Sequence, residues 1–230
     1  MTDSNQNIER ALTAEIKLYY DVIAGTGPGA PLLIALHGYG AGKWHASREA
    51  KLIVPEGFAV ASPQGPHQRL REPKTPGGPL RFGFGWLTNF RPEESVAIHH
   101  RALLNIIESL TAEGLADRSR IFLLGFSQSC ALNYRFAFTY PDVLRGVIGI
   151  CGGLPGDWET SALYKDTGAS VFHLAGTLDE YYPPARVSNY EKQLRQRAQD
   201  VEFRSYNAGH EISPAMRDDI RAWLKQKAEI

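Results

Sequence analysis

The stretch RIFLLGFSQSCALNYRFAFTY, residues 120–140, decides the reading of the chain. It opens on an unbroken apolar run, Ile121 to Leu124, pauses at Gly125, and continues from Ser127 to about Tyr140 as a helix-compatible sequence. A strand that is apolar throughout has both faces covered, which points to a parallel strand inside an α/β sheet. Between run and helix stands Gly125-Phe126-Ser127-Gln128-Ser129. A serine flanked two residues away by small residues, at a strand-to-helix turn, sits on a tight bend that pushes its hydroxyl into the open. The small residues are needed because strand and helix backbones pass close together there. The pentapeptide alone is a weak signal, and a serine that merely N-caps the helix is the competing reading.

Outward from this stretch the same pattern recurs. Short apolar runs stand at 32–36 (LLIAL), 58–62 (FAVAS), 146–151 (GVIGIC), 170–176 (SVFHLAG) and 201–206 (VEFRSY). The segment Glu15–Ile23 alternates instead, with Ile16, Leu18, Tyr20 and Val22 on one side, which suits an antiparallel edge strand. Between the runs, Pro92 opens a helix that Glu93 and Glu94 support at its positive end and Gly114 closes. Further helices are predicted from Pro184 to about Arg197, and from Pro214 onward with Ser213 as N-cap. The expected architecture is one α/β domain over residues 1–230, a mostly parallel central sheet with helices on both faces. Residues 1–14 are polar and free to be flexible.

A serine hydroxyl needs a base, and the base needs an acid to orient it. In this class of fold they follow in the order serine, acid, histidine, each beyond the end of a successive strand. Asp179 follows the run at 170–176, and His210 follows that at 201–206. Competitors lack that placement: Asp157 and Asp166 lie between strands, His173 lies within one, and His99 and His100 fall inside a helix. His45 and His67 read as rim residues in loops. His37-Gly38-Tyr39-Gly40 directly follows the run at 32–36 and supplies a turn for stabilising an oxyanion. Its backbone donor is expected from Tyr39 and a second from Gln128, with His37 orienting the turn. These features predict an α/β-hydrolase fold, with Ser127, Asp179 and His210 as a catalytic triad. Only about twenty residues separate the runs at 146–151 and 170–176, so no large cap domain is expected.

Four ordered blocks, LHGYGAG, GFSQS, AGTLDEYYP and AGHEIS, resemble those of the phospholipase/carboxylesterase family, from about Pro31 to the C-terminus. The resemblance implies a metal-independent serine mechanism, carboxylic ester or thioester substrates, and Tyr39 and Gln128 as oxyanion donors. The chain departs from the family at Ser129, where glycine is usual, and at Tyr181-Tyr182, where small aliphatic residues are common; Tyr181 is therefore expected at the substrate. Acyl transfer, peptide or C–C hydrolysis on the same triad is the alternative, and a non-catalytic binding module a further one.

Composition narrows the remaining classes. Lys plus Arg number 25 and Asp plus Glu 25, so no net field favours nucleic acid. No apolar run is long enough to span a membrane, and the polar N-terminus is unlike a signal peptide. Cys130 and Cys151 are too few for a disulfide framework and read as reduced and buried. A cytoplasmic protein with no cofactor, no metal and a small-molecule or acylated-protein substrate is expected; oligomeric state stays open.

One connection is too long for a simple turn. About thirty Gly- and Pro-rich residues separate Ser62 from Arg91, and loops of that length are usually functional or disordered. Phe82, Phe84 and Trp86 alternate with Gly83 and Gly85, so the three rings are expected on one side of an extended segment, lining the substrate pocket. Ordinary core packing is the competing reading. His67, Arg69, Arg71 and Lys74, facing only Glu72, read as a solvated rim with the alternative of attracting an anionic substrate.

Overall fold

The structure is a computed structural model that describes residues 7–73 and 75–229, so Lys74 and residues 1–6 of the expected flexible stretch lie outside the described residues. Its framework is a seven-stranded sheet. The strands are β1 (Tyr20–Ile23), β2 (Ala30–Leu36), β3 (Ala59–Pro63), β6 (Ala116–Phe126), β7 (Gly146–Ile150), β8 (Ser170–Gly176) and β9 (Val201–Tyr206). They are ordered β1-β3-β2-β6-β7-β8-β9, with β1 antiparallel and the rest parallel.

Every residue of β2, β3, β7 and β8 is buried, as continuous apolar runs require. Alternate residues serve opposite layers. Leu32, Ile34, Ile121 and Leu123 pack with Leu103 and Ile107 of helix α2 (Pro92–Ala112) and Phe136 of helix α3 (Gln128–Thr139). Leu33, Ala35, Phe122 and Leu124 pack with Ile53 of helix α1 (Lys43–Ile53) and with Ile220 and Trp223 of helix α6 (Pro214–Lys227). Ser213 caps α6 as expected, accepting from the Met216 amide at 3.3 Å.

The edge strand is shorter than the alternation predicts. Its neighbour β3 ends at Pro63, opposite Tyr20, and the pairing runs on only through the bond from the Gln64 amide to Tyr19 O at 2.9 Å; Ile16 is exposed. The helix predicted from Pro184 splits into α4 (Pro184–Val187) and α5 (Tyr190–Arg195). At the break Ser188 turns its hydroxyl back onto the Ala185 carbonyl at 3.1 Å, a local bond that competes with helix continuation. Residues 151–169 carry no helix, and among the described residues no large cap covers the sheet's carboxyl edge. Among the described residues no helix is long and apolar enough to cross a membrane.

The long connection is ordered as a hairpin of β4 (His67–Arg71) and β5 (Arg81–Gly85). It is fastened to the turn after β2 by two bonds, from the Gly40 amide to Phe84 O and from the Phe84 amide to Ala41 O, both 2.8 Å. Gly83 permits this approach. A Cβ there would stand 2.3 Å from the Gly40 carbonyl oxygen.

Candidate active site

Between β6 and α3 the backbone of Ser127 adopts φ 57° and ψ −115°. Those torsions belong to turn positions that glycine normally fills, so a serine there is strained. The strain is held from both sides. The Ser127 amide donates to Ile150 O at 2.9 Å, and the Cys130 amide donates to Ser127 O at 3.1 Å. Gly125 and Gly152 leave the space. A Cβ on Gly125 would lie 2.7 Å from Asn133 Nδ2, and one on Gly152 2.3 Å from Cys130 Sγ. Ser129 fits where a glycine is usual because its buried hydroxyl accepts from the Phe126 amide at 3.0 Å and has Leu36 O at 3.3 Å as acceptor. The Ser127 hydroxyl makes no capping bond to the helix, which sets aside the capping reading of this serine.

That hydroxyl faces His210 instead. His210 Nε2 lies 3.0 Å from Ser127 Oγ, and His210 Nδ1 lies 2.9 Å from Asp179 Oδ2. The other carboxylate oxygen of Asp179 accepts the amides of Tyr181 and Tyr182, each at 2.9 Å. Burial alone would raise the Asp179 carboxyl, but the bonds from His210 and from the two amides outweigh it and hold the group below the ordinary carboxylate range. The imidazole is boxed by aromatic rings: Tyr181 at 4.8 Å, Phe126 at 4.9 Å and Tyr182 at 6.1 Å between centroids.

The Gly38–Ala41 turn stands beside the serine. A Cβ on Gly38 would come within 3.3 Å of Ser127 Cβ. His37 is buried and braces the turn. Its Nε2 accepts the Gly65 amide at 3.0 Å, which leaves Nδ1 to donate to Gly38 O at 2.8 Å. Burial pushes this histidine down to about 4, so it stays neutral. The neighbouring amides are committed, Gly40 to Phe84 O and Ala41 to Gly38 O.

Sequence-predicted residues are thus brought together at Ser127, Asp179, His210, Tyr39, Gln128 and Tyr181. Trp86 needs correction. Its indole is fully buried, donating from Nε1 to His37 O at 3.0 Å, while its amide donates to Gln128 Oε1 at 2.9 Å. It lies behind the turn, stacked edge-on against buried His99 at 5.6 Å, and does not line the cleft. Strand β5 ends at Gly85, so the alternation that would keep Trp86 on one face with Phe82 and Phe84 stops one residue too early. Phe84 packs edge-on against Trp44, and Phe82 is exposed. His45 lies on α1 and His67 on β4, both in regular elements where loops were expected.

The nearness of Cys151 to the site had no sequence signal. Cys151, at φ 47°, directly follows β7, with its thiol 3.5 Å from Glu211 O and close to Asp179. Sulfur, carboxylate and ring nitrogen of Cys151, Asp179 and His210 lie within 4.8 Å, the one such grouping found among the described residues. Burial, then the Asp179 charge, pushes the thiol up to about 12, so it offers no ready thiolate to a cation. Cys130 and Cys151 are both free and buried. A cavity of ≈ 270 Å³ under the turn shares Gly38 and Phe126 with the site, but neither Ser127, Asp179 nor His210 lines it.

The mostly parallel sheet, with a serine on the turn after its central strand and an acid and a histidine beyond the next strands, defines an α/β-hydrolase fold. Residues 18–228 match the phospholipase/carboxylesterase family, and the chain belongs to it. Among curated proteins it is 33% identical over 124 residues to acyl-protein thioesterase 1 of Eremothecium gossypii, an alignment covering 52% of each chain. It is also 28% identical over 142 residues to poly(3-hydroxyalkanoate) depolymerase C of Paucimonas lemoignei, covering 60% of this chain and 31% of that one. The chain therefore spans about half the length of the first relative and under a third of the second. The Bacillus cereus carboxylesterase structure superposes with a TM-score of 0.71 at 20% identity, over 91% of this chain and 94% of that one, a likeness of fold.

Proposed function

We propose that the protein is a serine hydrolase that cleaves carboxylic esters or thioesters through an acyl-enzyme. The observation that carries this is the unbroken line from Ser127 Oγ to His210 Nε2 at 3.0 Å and from His210 Nδ1 to Asp179 at 2.9 Å. As Oγ attacks the acyl carbon, His210 takes its proton, and ionised Asp179 stabilises the imidazolium without accepting a proton itself. The carbonyl oxygen becomes an anion between the amides of Tyr39 and Gln128, the donors we assign. Each such donor is worth about 3–4 kcal/mol in the transition state. His210 then protonates the departing alkoxide or thiolate, and water repeats the sequence to release the acid. The curated relative described as an acyl-protein thioesterase supports the thioester half of this reading, and the structural likeness to a carboxylesterase agrees with it. A cytoplasmic setting fits two free, buried thiols.

A panel of acetyl to decanoyl esters and the matching thioesters tests the substrate class. Turnover of at least one series is expected, unchanged by EDTA. Rates no higher than those of heat-inactivated protein across the whole panel would remove the assignment, as would loss of activity in EDTA restored by zinc.

A further inference from the structure

The hairpin over the active-site turn is basic on one face. His67, Arg69 and Arg71 alternate along β4, and Arg81 stands opposite Arg71. The cross-strand partners of Arg69 and His67 are Gly83 and Gly85, so no side chain opposes either of them. This face lies on the turn, since a Cβ on Gly83 would strike Gly40, and Arg71 donates to Gly40 O at 2.9 Å. No carboxylate lies within 4.0 Å of Arg69, Arg71 or Arg81 among the described residues. Arg71 is tied to the turn by its bond to Gly40 O, so Arg69 is the arginine over the turn whose charge no strong bond engages.

Arg69 occupies the key place. Its guanidinium carbon sits over the Tyr39 ring, 4.9 Å from the centroid, within cation–π range. Its Nε is buried with no hydrogen-bond partner, and Nη2 reaches only Leu87 O at 3.5 Å. A buried donor left without an acceptor is costly, and the long Nη2 bond does little to offset it. The position adjoins the side chains of two residues of the site. A Cβ on Gly85 would lie 3.3 Å from Gln128 Oε1, 3.5 Å from Tyr39 Cδ2 and 3.7 Å from Arg69 Nε. Arg69 thus adjoins the two residues whose amides are assigned to the oxyanion. Nearby His67 donates no second charge, because burial and the Arg69 charge hold it below its ordinary range while its Nε2 pairs with Ser95 Oγ at 3.0 Å.

We propose that Arg69 receives a carboxylate carried by the substrate, so that the preferred esters or thioesters are anionic. A planar, permanently charged guanidinium suits a carboxylate, and its terminal nitrogens, of which Nη2 makes only a 3.5 Å bond, are the donors a substrate can meet. The proposal rests on the hydrolase reading above. The carboxylate can come from the acyl half or from the leaving group, and both fall within the same chemistry.

Two matched pairs of substrates separate these sources. For the acyl half, the mono-para-nitrophenyl ester of glutaric acid is compared with para-nitrophenyl pentanoate, after subtracting the uncatalysed rate. For the leaving group, meta-acetoxybenzoate is compared with meta-acetoxybenzamide. In one pair the anionic member should be favoured at least about tenfold in kcat/KM, the range for a hydrogen bond to a charged group. That ratio should shrink as salt rises from about 0.01 M to about 1 M. In Arg69→Met, which keeps the apolar bulk over Tyr39, it should collapse towards one. Because the readout is a ratio within one preparation, a partly folded variant does not confuse it. Normal turnover of the neutral esters with no anionic preference in either pair overturns this proposal alone. So does an Arg69→Met variant that loses anionic and neutral substrates equally. No turnover of any member overturns the hydrolase reading, and this proposal with it.

Discussion

Ser127→Ala is expected to lower kcat by about ten-thousandfold or more, because it removes the atom proposed to attack the acyl carbon and leaves binding and oxyanion stabilisation behind. The melting temperature should move by no more than about 2 °C. Alanine keeps the Cβ, and the hydroxyl makes no capping bond that would be lost. Ser127→Gly should be equally inactive but more stable by about 1 kcal/mol, since φ 57° with ψ −115° costs a residue with a side chain and not glycine. Purified variants compared by ester hydrolysis and thermal melting check both statements. Substantial residual activity in Ser127→Ala would move the nucleophile elsewhere.

Asp179→Asn should cost about a thousandfold to ten-thousandfold in kcat at near-native stability. The amide is the same shape. Its oxygen still accepts the amides of Tyr181 and Tyr182, now at 2.9 Å to the carboxylate, and its NH2 is thereby turned towards His210 Nδ1. A donor facing Nδ1 forces the imidazole proton onto Nε2, the atom that must be empty to take the serine proton. The loss should appear in kcat for every substrate, with KM little changed. A loss below about tenfold would mean that Asp179 only shapes the loop.

The parallel strands were readable because burial on both faces leaves an unbroken apolar signature, as at Leu32–Leu36 and Val171–Ala175. The positions of Ser127, Asp179 and His210 were readable for a related reason. Each follows such a run, and a parallel sheet delivers all those ends to one edge. Hairpin β4–β5 was not readable. Its pairing depends on register across a Gly- and Pro-rich turn, and its outward Leu70 and Phe82 are exposed, so no alternation of buried and polar residues marks it. The place of Trp86 was missed because periodicity gives a face only while the strand lasts. Arg69 stood in the sequence as one of several rim charges. Its missing partner and its seat on Tyr39 follow from cross-strand glycines, which only the fold brings opposite it.

The central claim is that Ser127 is a nucleophile activated by His210. An alkyl fluorophosphonate reports this directly, because it bonds covalently to a serine only when a base takes its proton. Intact mass should rise by one adduct per chain, and peptide mapping should place that adduct on Ser127. In His210→Ala the adduct should form at least about a hundredfold more slowly. Wild-type protein that shows no adduct, or carries it on a residue other than Ser127, would contradict the account.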